Sequence, residues 1–352
     1  MKTRMRIMIG SALVVALVGL VTACGSDKKS EKTKGVVDQM VDTVATTFAN
    51  NLQQAQKPQP VVAEENKPND NERLVRHVAD MSINNDKLYA AYDGGVAMYD
   101  FASKTDKVVR DDQPFDAVAW HEGKLYVGGN DLYTLDDSLE LQKVDSEFEG
   151  TVTALCEFGP RLIIGTSNGL YSQSIFGKEK LMDDVTVSAL AADEGGLWVG
   201  TDGQGLYRWD GTEFARRYLL RDTSIFDTVH TLAYNHNHLY VGSSNGFHVF
   251  DGGKWTTMTT GEGLPSDCVT SIDASDWVVL VGTDQGVVSY FNDELMPVSR
   301  LDDKGVTAIR RYKNKIIAGT EYEGVLQRSR TALRTIVQPD SGLQLSYLSL
   351  IQ

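Results

Sequence analysis

The sequence predicts an all-β fold, a seven-bladed β-propeller of four-stranded blades, over residues 72–352. A short apolar segment ending in glycine or alanine recurs seven times at steps of 35 to 42 residues, close to the length of one blade. Each repeat carries four strand signals separated by turn residues. No helical pattern lies between the repeats, and closing such units into a ring leaves only short sheet edges exposed.

The recurring segment reads Leu-aromatic-Val-Gly or a close variant, and we interpret it as strand B, the second strand of each blade. Its apolar residues suit a buried strand. The seven copies are Leu88–Ala91, Leu125–Gly128, Leu162–Gly165, Leu197–Gly200, Leu239–Gly242, Val279–Gly282 and Ile316–Gly319.

The third repeat shows the complete blade. Gly159-Pro160 and Asn168-Gly169 separate its first three strands, and Asn-Gly favours a hairpin turn in which both central residues have positive φ. The predicted strands A to D are Val152–Phe158, Arg161–Thr166, Gly169–Ser174 and Glu179–Met182.

Strand A opens each repeat with an apolar residue, and in most repeats a small residue follows two places later. Small side chains fit the innermost strands, which crowd around the propeller axis. The opening residues are Val78, Phe115, Val152, Val187, Val229, Val269 and Val306. An eighth such signal, Leu345–Ile351, either pairs with the first blade or begins an incomplete eighth blade. We expect it to close the ring.

Residues 1–23 have the charge-then-apolar order of a secretory signal. The apolar run ends at Val21-Thr22-Ala23-Cys24, which resembles the lipobox of bacterial lipoproteins. That resemblance implies cleavage before Cys24 and acylation of Cys24, which would anchor the chain to the lipid bilayer. The alternative is a short transmembrane helix, although the run lies at the low end of the length needed. Gly25 and Ser26, with no Asp directly after Cys24, resemble the start of lipoproteins that enteric-type bacteria sort to the outer membrane. That resemblance implies the periplasmic side of the outer membrane rather than the inner membrane.

Residues 24–71 are predicted to be a lipidated tether. Apolar residues recur at three- and four-residue steps over residues 36–56, which predicts an amphipathic helix. That helix either docks on the propeller rim or is only partly folded, or else it mediates self-association or binds a partner. Residues 57–71 carry Pro58, Pro60 and Pro68 among polar residues and are interpreted as a linker.

The segment from Ala191 to Asp210, with Gly-Gly-Leu-Trp-Val-Gly-Thr-Asp-Gly at its centre, resembles the two-component regulator propeller repeat. Gly263-Leu264-Pro265-Ser266 resembles the same family's link into its next blade. The resemblance covers residues 72–352 and is clearest in repeats four to six. It implies the propeller fold and, in that family, a sensor ectodomain. No kinase or DNA-binding segment follows, so we expect the fold to carry over and the signalling output not to.

The charge and the motifs favour a binding protein over an enzyme. A net charge of −14 argues against a nucleic-acid partner, because phosphate binding needs clustered Lys and Arg. No nucleophile elbow or phosphate-binding loop is present, and we expect no cofactor.

His236-Asn237-His238 has ligand-like spacing without an evident third ligand, so we expect no metal site. Cys156 and Cys268 lie in distant blades, which predicts two buried free thiols.

Strand alternation places the B–C turns and the D–A links on one face, the link face. The B–C turns give it an acidic rim, and its longest D–A links precede blades five and six. Aromatic, Arg and carboxylate groups together suit recognition. The candidate binding residues are Tyr218, Arg221, Asp222, Phe226, Asp227, Glu262 and Asp267. The sequence therefore predicts a scaffold or assembly factor that binds envelope proteins. The alternative is a binder or sensor of a small molecule or glycan at the channel mouth.

Overall fold

A computed structural model describes residues 77–110, 113–136, 138–144, 148–216 and 228–338. Over these residues the chain forms seven antiparallel sheets of four strands each. In every sheet the strands pair in the order in which they occur along the chain, so each blade is one continuous segment. The prediction of a seven-bladed propeller is confirmed.

The blade boundaries follow the repeats. Blades 1 to 3 comprise β1 (Val78–Asn84), β2 (Lys87–Tyr92), β3 (Gly95–Asp100), β4 (Thr105–Arg110); β5 (Phe115–His121), β6 (Lys124–Gly129), β7 (Leu132–Leu135), β8 (Leu141–Lys143); β9 (Val152–Phe158), β10 (Arg161–Thr166), β11 (Gly169–Ser174), β12 (Gly177–Asp183). Blades 4 and 5 comprise β13 (Val187–Asp193), β14 (Gly196–Thr201), β15 (Leu206–Trp209), β16 (Phe214–Arg216); β17 (Val229–Asn235), β18 (His238–Ser243), β19 (Gly246–Phe250), β20 (Trp255–Met258). Blades 6 and 7 comprise β21 (Val269–Asp273), β22 (Val279–Thr283), β23 (Gly286–Phe291), β24 (Glu294–Pro297); β25 (Val306–Tyr312), β26 (Lys315–Thr320), β27 (Val325–Arg328), β28 (Leu333–Val337).

All seven innermost strands begin at the apolar residue that the sequence predicts. In blade 3, strands A to C have the predicted bounds, and strand D is longer than predicted at both ends. Each strand A contacts the strands A of its two neighbours, and β25 contacts β1, which closes the ring.

The glycine of the repeated strand-B segment makes room for the next blade. In blades 2 to 7, a Cβ on that glycine would lie 2.3 to 3.1 Å from Cγ1 of the valine that opens the following strand A. The apolar clusters likewise span neighbouring blades, as where Ile163 packs with Val187 and Val199. The Leu-aromatic-Val-Gly pattern therefore encodes packing between blades as well as strands within them.

The hairpins form where Asn-Gly predicts them, but their conformation differs from the prediction. At Asn168-Gly169 only the glycine has positive φ. The Thr166 hydroxyl donates to the Gly169 carbonyl at 3.1 Å, which closes the turn without placing Asn168 in the left-handed region. Paired positive φ values occur instead in A–B turns, at Asn85 and Asp86 and at His236 and Asn237.

Side chains join blade 7 to blade 1. The Asp80 carboxylate accepts Arg310 Nη2 at 2.7 Å, and its second oxygen accepts the Val118 N–H of blade 2 at 3.0 Å. Tyr312 donates to Asp86 at 2.7 Å and stacks on Phe101, with ring centroids 3.7 Å apart.

The predicted signal peptide, the helix over residues 36–56, the linker and the strand at 345–351 lie outside the described residues. Across the part of the chain that the structure does describe, no helix is long and apolar enough to cross a membrane.

Candidate functional site

The channel along the axis is narrow and polar. The second residue of each strand A lines a cavity of about 160 Å³. In five blades this side chain hydrogen-bonds the carbonyl of the residue that opens the next strand A. The five bonds are Thr153 Oγ1 to Val187, Ser188 Oγ to Val229, His230 Nδ1 to Val269, Thr270 Oγ1 to Val306 and Thr307 Oγ1 to Val78.

Blades 1 and 2 depart from this pattern, because Ala79 and Asp116 occupy the donor position. Ala79 has no polar side-chain atom, and an ionised Asp116 only accepts hydrogen bonds. Burial raises the pKa of Asp116, the Asp93 carboxylate raises it further, and His77 lowers it.

The predicted link-face site is only partly within the described residues. Tyr218, Arg221, Asp222, Phe226 and Asp227 lie outside them. Glu262 and Asp267 are described, and both carboxylates accept hydrogen bonds within their own loop. Glu262 Oε2 accepts the Thr259 N–H at 2.8 Å and the Thr259 hydroxyl at 2.7 Å, and these bonds lower the pKa of Glu262. Asp267 Oδ1 accepts the Thr260 N–H at 2.6 Å.

The acidic rim of the link face is partly engaged by the protein itself. Asp131 pairs with Lys143 at 2.7 Å, and Asp202 accepts the Thr228 hydroxyl at 2.8 Å. The rim is therefore less available to a cationic ligand than its composition indicates.

The two described cysteines are free thiols, but they are half-buried rather than buried. Burial raises the pKa of Cys156 to about 11 and also raises the pKa of Cys268. Cys268 Sγ lies 3.9 Å from His230 Nδ1, yet that nitrogen faces the Val269 carbonyl, to which it can only donate. The pair therefore lacks the arrangement of an activated nucleophile.

The His236-Asn237-His238 motif is used locally. His238 Nδ1 lies 2.7 Å from the His236 carbonyl, and the His236 ring stacks on Trp277 with centroids 3.7 Å apart. Among the described residues, no group of three His, Cys, Asp or Glu side chains could hold a metal ion.

The opposite face, formed by the A–B and C–D turns, is the turn face. It carries four of the six large apolar side chains that are exposed among the described residues. Ile175 and Phe176 form the tip of the blade 3 hairpin and are 80% and 93% exposed. Trp277 and Phe291 in blade 6 are 67% and 40% exposed. The four side chains therefore form two separate exposed apolar pairs on the turn face, one in blade 3 and one in blade 6.

A groove of about 890 Å³ crosses the turn face over blades 3 to 5. It is lined by the consecutive residues Glu157–Arg161, Ala192–Glu194 and Tyr234–Asn237, together with Trp209 and Gly211 of blade 4. We call this the turn-face groove. The groove is not among the sites predicted from the sequence, although aromatic residues lie at or next to the end of strand A in blades 3 and 5, at Phe158 and Tyr234.

The sequence matches no protein-family model and is similar to no curated protein at a significant level. Solved structures resemble the fold. The extracellular domain of the hybrid two-component system BT3049 from B. thetaiotaomicron has a TM-score of 0.59 and 17% identity. The match covers 72% of this chain and 39% of that one, so this chain spans well under half of that protein.

Two further structures share the architecture. YCF48 bound to D1 peptide has a TM-score of 0.57 at 10% identity, covering 73% of this chain and 94% of that one. The WD40 propeller domain of Doa1 has a TM-score of 0.55 at 13% identity, covering 72% and 92%. At these identities the likeness establishes a common β-propeller fold.

Proposed function

We propose that this chain is a lipid-anchored β-propeller of the bacterial cell envelope that binds other envelope proteins as a scaffold or assembly factor. Four of the six exposed large apolar side chains of the described residues lie on the turn face. This bias carries the proposal, because exposed apolar surface is typical of protein-interaction sites. The lipobox at Cys24 supports the anchor.

The alternative, a small-molecule or glycan binder at the channel mouth, is disfavoured by the size of the channel. Sites for small molecules usually have volumes of about 300–1,000 Å³ and are mainly apolar. The channel cavity has about 160 Å³, and five of the seven strand-A side chains that line it bond to the next blade.

The similar structures support protein partners and an extracytoplasmic location. One is an extracellular domain and another is bound to a peptide. The link-face residues Tyr218, Arg221, Asp222, Phe226, Asp227, Glu262 and Asp267 remain our proposed primary contact surface.

Photo-crosslinking in the intact envelope tests the proposal. A photoreactive residue placed at Phe226 on the predicted link face, or at Phe176 on the turn face, should crosslink an envelope protein reproducibly, whereas one at the outer-strand position Lys107 should not. Purified partner should then bind the propeller directly, and Arg221→Ala with Phe226→Ala should reduce that binding without changing thermal unfolding. If no protein crosslinks above the Lys107 control, the binding function is wrong. If one does but the double variant binds it fully, the link face is not the contact surface.

A further inference from the structure

The turn-face groove has an apolar floor that the fold holds rigidly. Trp209 is 3% exposed and lies between Phe158 and Phe214, with ring centroids 5.8 and 6.0 Å away. Ala192 and Tyr234 extend this floor toward blade 5. Because these side chains belong to the core between blades, the floor keeps its shape with or without an occupant.

The apolar surface continues beyond the groove. At the blade 5 end the His236 ring stacks on Trp277 of blade 6, which is 67% exposed. An extended chain lying along the groove would therefore reach a second aromatic platform one blade further on.

The cations nearest the groove already have partners. Arg208 donates to Asp193 at 2.7 Å and lies over the Trp198 ring at 4.9 Å. Asp193 also accepts the Trp198 indole N–H at 2.9 Å. Arg161, which lines the groove, lies over the Trp209 ring at 5.6 Å, a contact that does not neutralise its charge. The groove lining also holds the carboxylates of Glu157, Asp193 and Glu194, so its anionic groups outnumber its cationic ones.

Two carboxylates at the edge of the turn-face groove, Glu157 and Glu194, have no cationic partner of the kind that Arg208 provides for Asp193. Glu157 is 54% exposed, and the His121 ring nitrogen Nδ1, 3.6 Å from its carboxylate, lies beyond hydrogen-bond distance. Glu194 is exposed and has no ion pair within the described part of the chain. The pKa of Tyr234 is raised by burial first, with Asp193 and Glu194 adding to the effect while Arg208 opposes it. The negative charges of Asp193 and Glu194 therefore act on Tyr234, inside the turn-face groove.

We propose that the turn-face groove binds an extended segment of a partner protein in which a Lys or Arg side chain lies between apolar or aromatic residues. The cation lies near Glu157 and Glu194, beside the aromatic floor, where both carboxylates and ring faces attract it. The neighbouring apolar side chains cover the exposed parts of Phe158 and Tyr234 and release water from them. This inference rests on the proposed protein-binding function and names the chemistry of one partner segment.

Labelled peptides and the full-length chain provide the test. The probe is a nine-residue peptide with a central Lys flanked by Leu and Tyr, compared with the same peptide carrying Glu at its centre, by fluorescence anisotropy. The Lys peptide should bind at least tenfold more tightly. Glu157→Gln with Glu194→Gln should weaken its binding by about tenfold, the effect of losing about 1.4 kcal/mol.

The matched control is Glu140→Gln with Glu294→Gln, which removes two exposed carboxylates from blades 2 and 6 and leaves the groove intact. Its affinity should equal that of the unmodified chain. If the control weakens binding as much as the groove variant, or if the Lys and Glu peptides bind alike or not at all, the groove assignment is wrong. The crosslinking result is independent of this outcome: a crosslinked partner with no peptide binding would leave the binding function standing and remove only the groove.

Discussion

The contact between blades 4 and 5 leaves no room for a methyl group at Gly200. Gly200 has no side chain, and a Cβ there would lie 2.5 Å from Val229 Cγ1 and 3.0 Å from Val229 Cβ. Both atoms belong to a residue that is fully buried. Blade 4 therefore cannot accept a larger residue without moving away from blade 5.

Gly200→Ala should therefore destabilise the propeller by about 1–3 kcal/mol, the usual cost of overpacking a core. Urea unfolding at equilibrium would measure the loss. Gly253→Ala is the control, because a Cβ there meets only Asp251 Oδ1 at 3.8 Å. Adding Val229→Ala to Gly200→Ala should give less destabilisation than the sum of the single changes. Strict additivity would show that the two residues do not compete for the same space.

Asp116 occupies, in blade 2, the strand-A position whose side chain hydrogen-bonds the next blade in five of the seven blades. Asp116→Asn supplies an amide donor that can reach the Val152 carbonyl as its counterparts do. At neutral pH we expect it to raise the free energy of unfolding by about 0.5–1.5 kcal/mol, the net value of one hydrogen bond.

The gain should depend on pH. The folded pKa of Asp116 is raised, so the unmodified chain gains stability from this group as the pH falls through that pKa. The advantage of Asp116→Asn should consequently shrink as the pH approaches the ordinary carboxyl value of 3.8. Thermal unfolding across this range, with the exposed Asp106→Asn as control, would measure it. A pH-independent advantage would contradict the role of the Asp116 charge.

At the scale of the element, the junction between blades 7 and 1 depends on Asp80. Its carboxylate accepts bonds from blade 7, from its own strand and from blade 2. Burial nevertheless raises the pKa of Asp80 above its usual value, outweighing the nearby Arg310 charge. The pair joins the blades at some cost in desolvation.

Arg310→Ala should lower the free energy of unfolding by about 1–3 kcal/mol, because it leaves the Asp80 carboxylate without its cation. Chemical denaturation would report this, with the exposed Arg334→Ala as the control. If Arg310→Ala unfolds like the Arg334 control, other contacts close the ring, and the predicted strand at 345–351 becomes the next candidate.

The strands were predictable wherever the residues that determine them lie within a single blade. The Val that opens strand A and the Gly that ends the strand-B segment recur in most repeats, and the strand starts followed from them. The turn at Asn168-Gly169 was mispredicted because the Thr166 hydroxyl supplies a competing contact. The groove was missed because Phe158, Trp209 and Tyr234 belong to three strands in three blades. Their proximity depends on how the blades sit around the ring, which no single repeat specifies.

For the whole molecule, the predicted location rests on the proposed acylation of Cys24. If Cys24 is acylated, Cys24→Ser should move the protein from the membrane fraction to the soluble fraction and abolish incorporation of a fatty-acid analogue. Stable anchoring needs more than one acyl chain. If only a fraction of the protein is acylated, only that fraction should remain with the membrane. Cys268→Ser is the matched control and should leave fractionation unchanged. A Cys24→Ser protein that remains labelled and in the membrane would show that Cys24 is not the anchor.

Because every blade is a continuous segment, the chain could begin at a different blade while each blade keeps the same neighbours around the axis. Val78 and Val337 lie in one apolar cluster, so a short linker could join the two ends of the ring. The chain could then be opened between residues 216 and 228, giving a circular permutant that starts with blade 5 and ends with blade 4. Permutation is tolerated where termini are close and the cut lies between compact units. The repeat architecture thus leaves the position of the chain ends open to design, and a fluorophore or fusion partner could be attached beside any chosen blade.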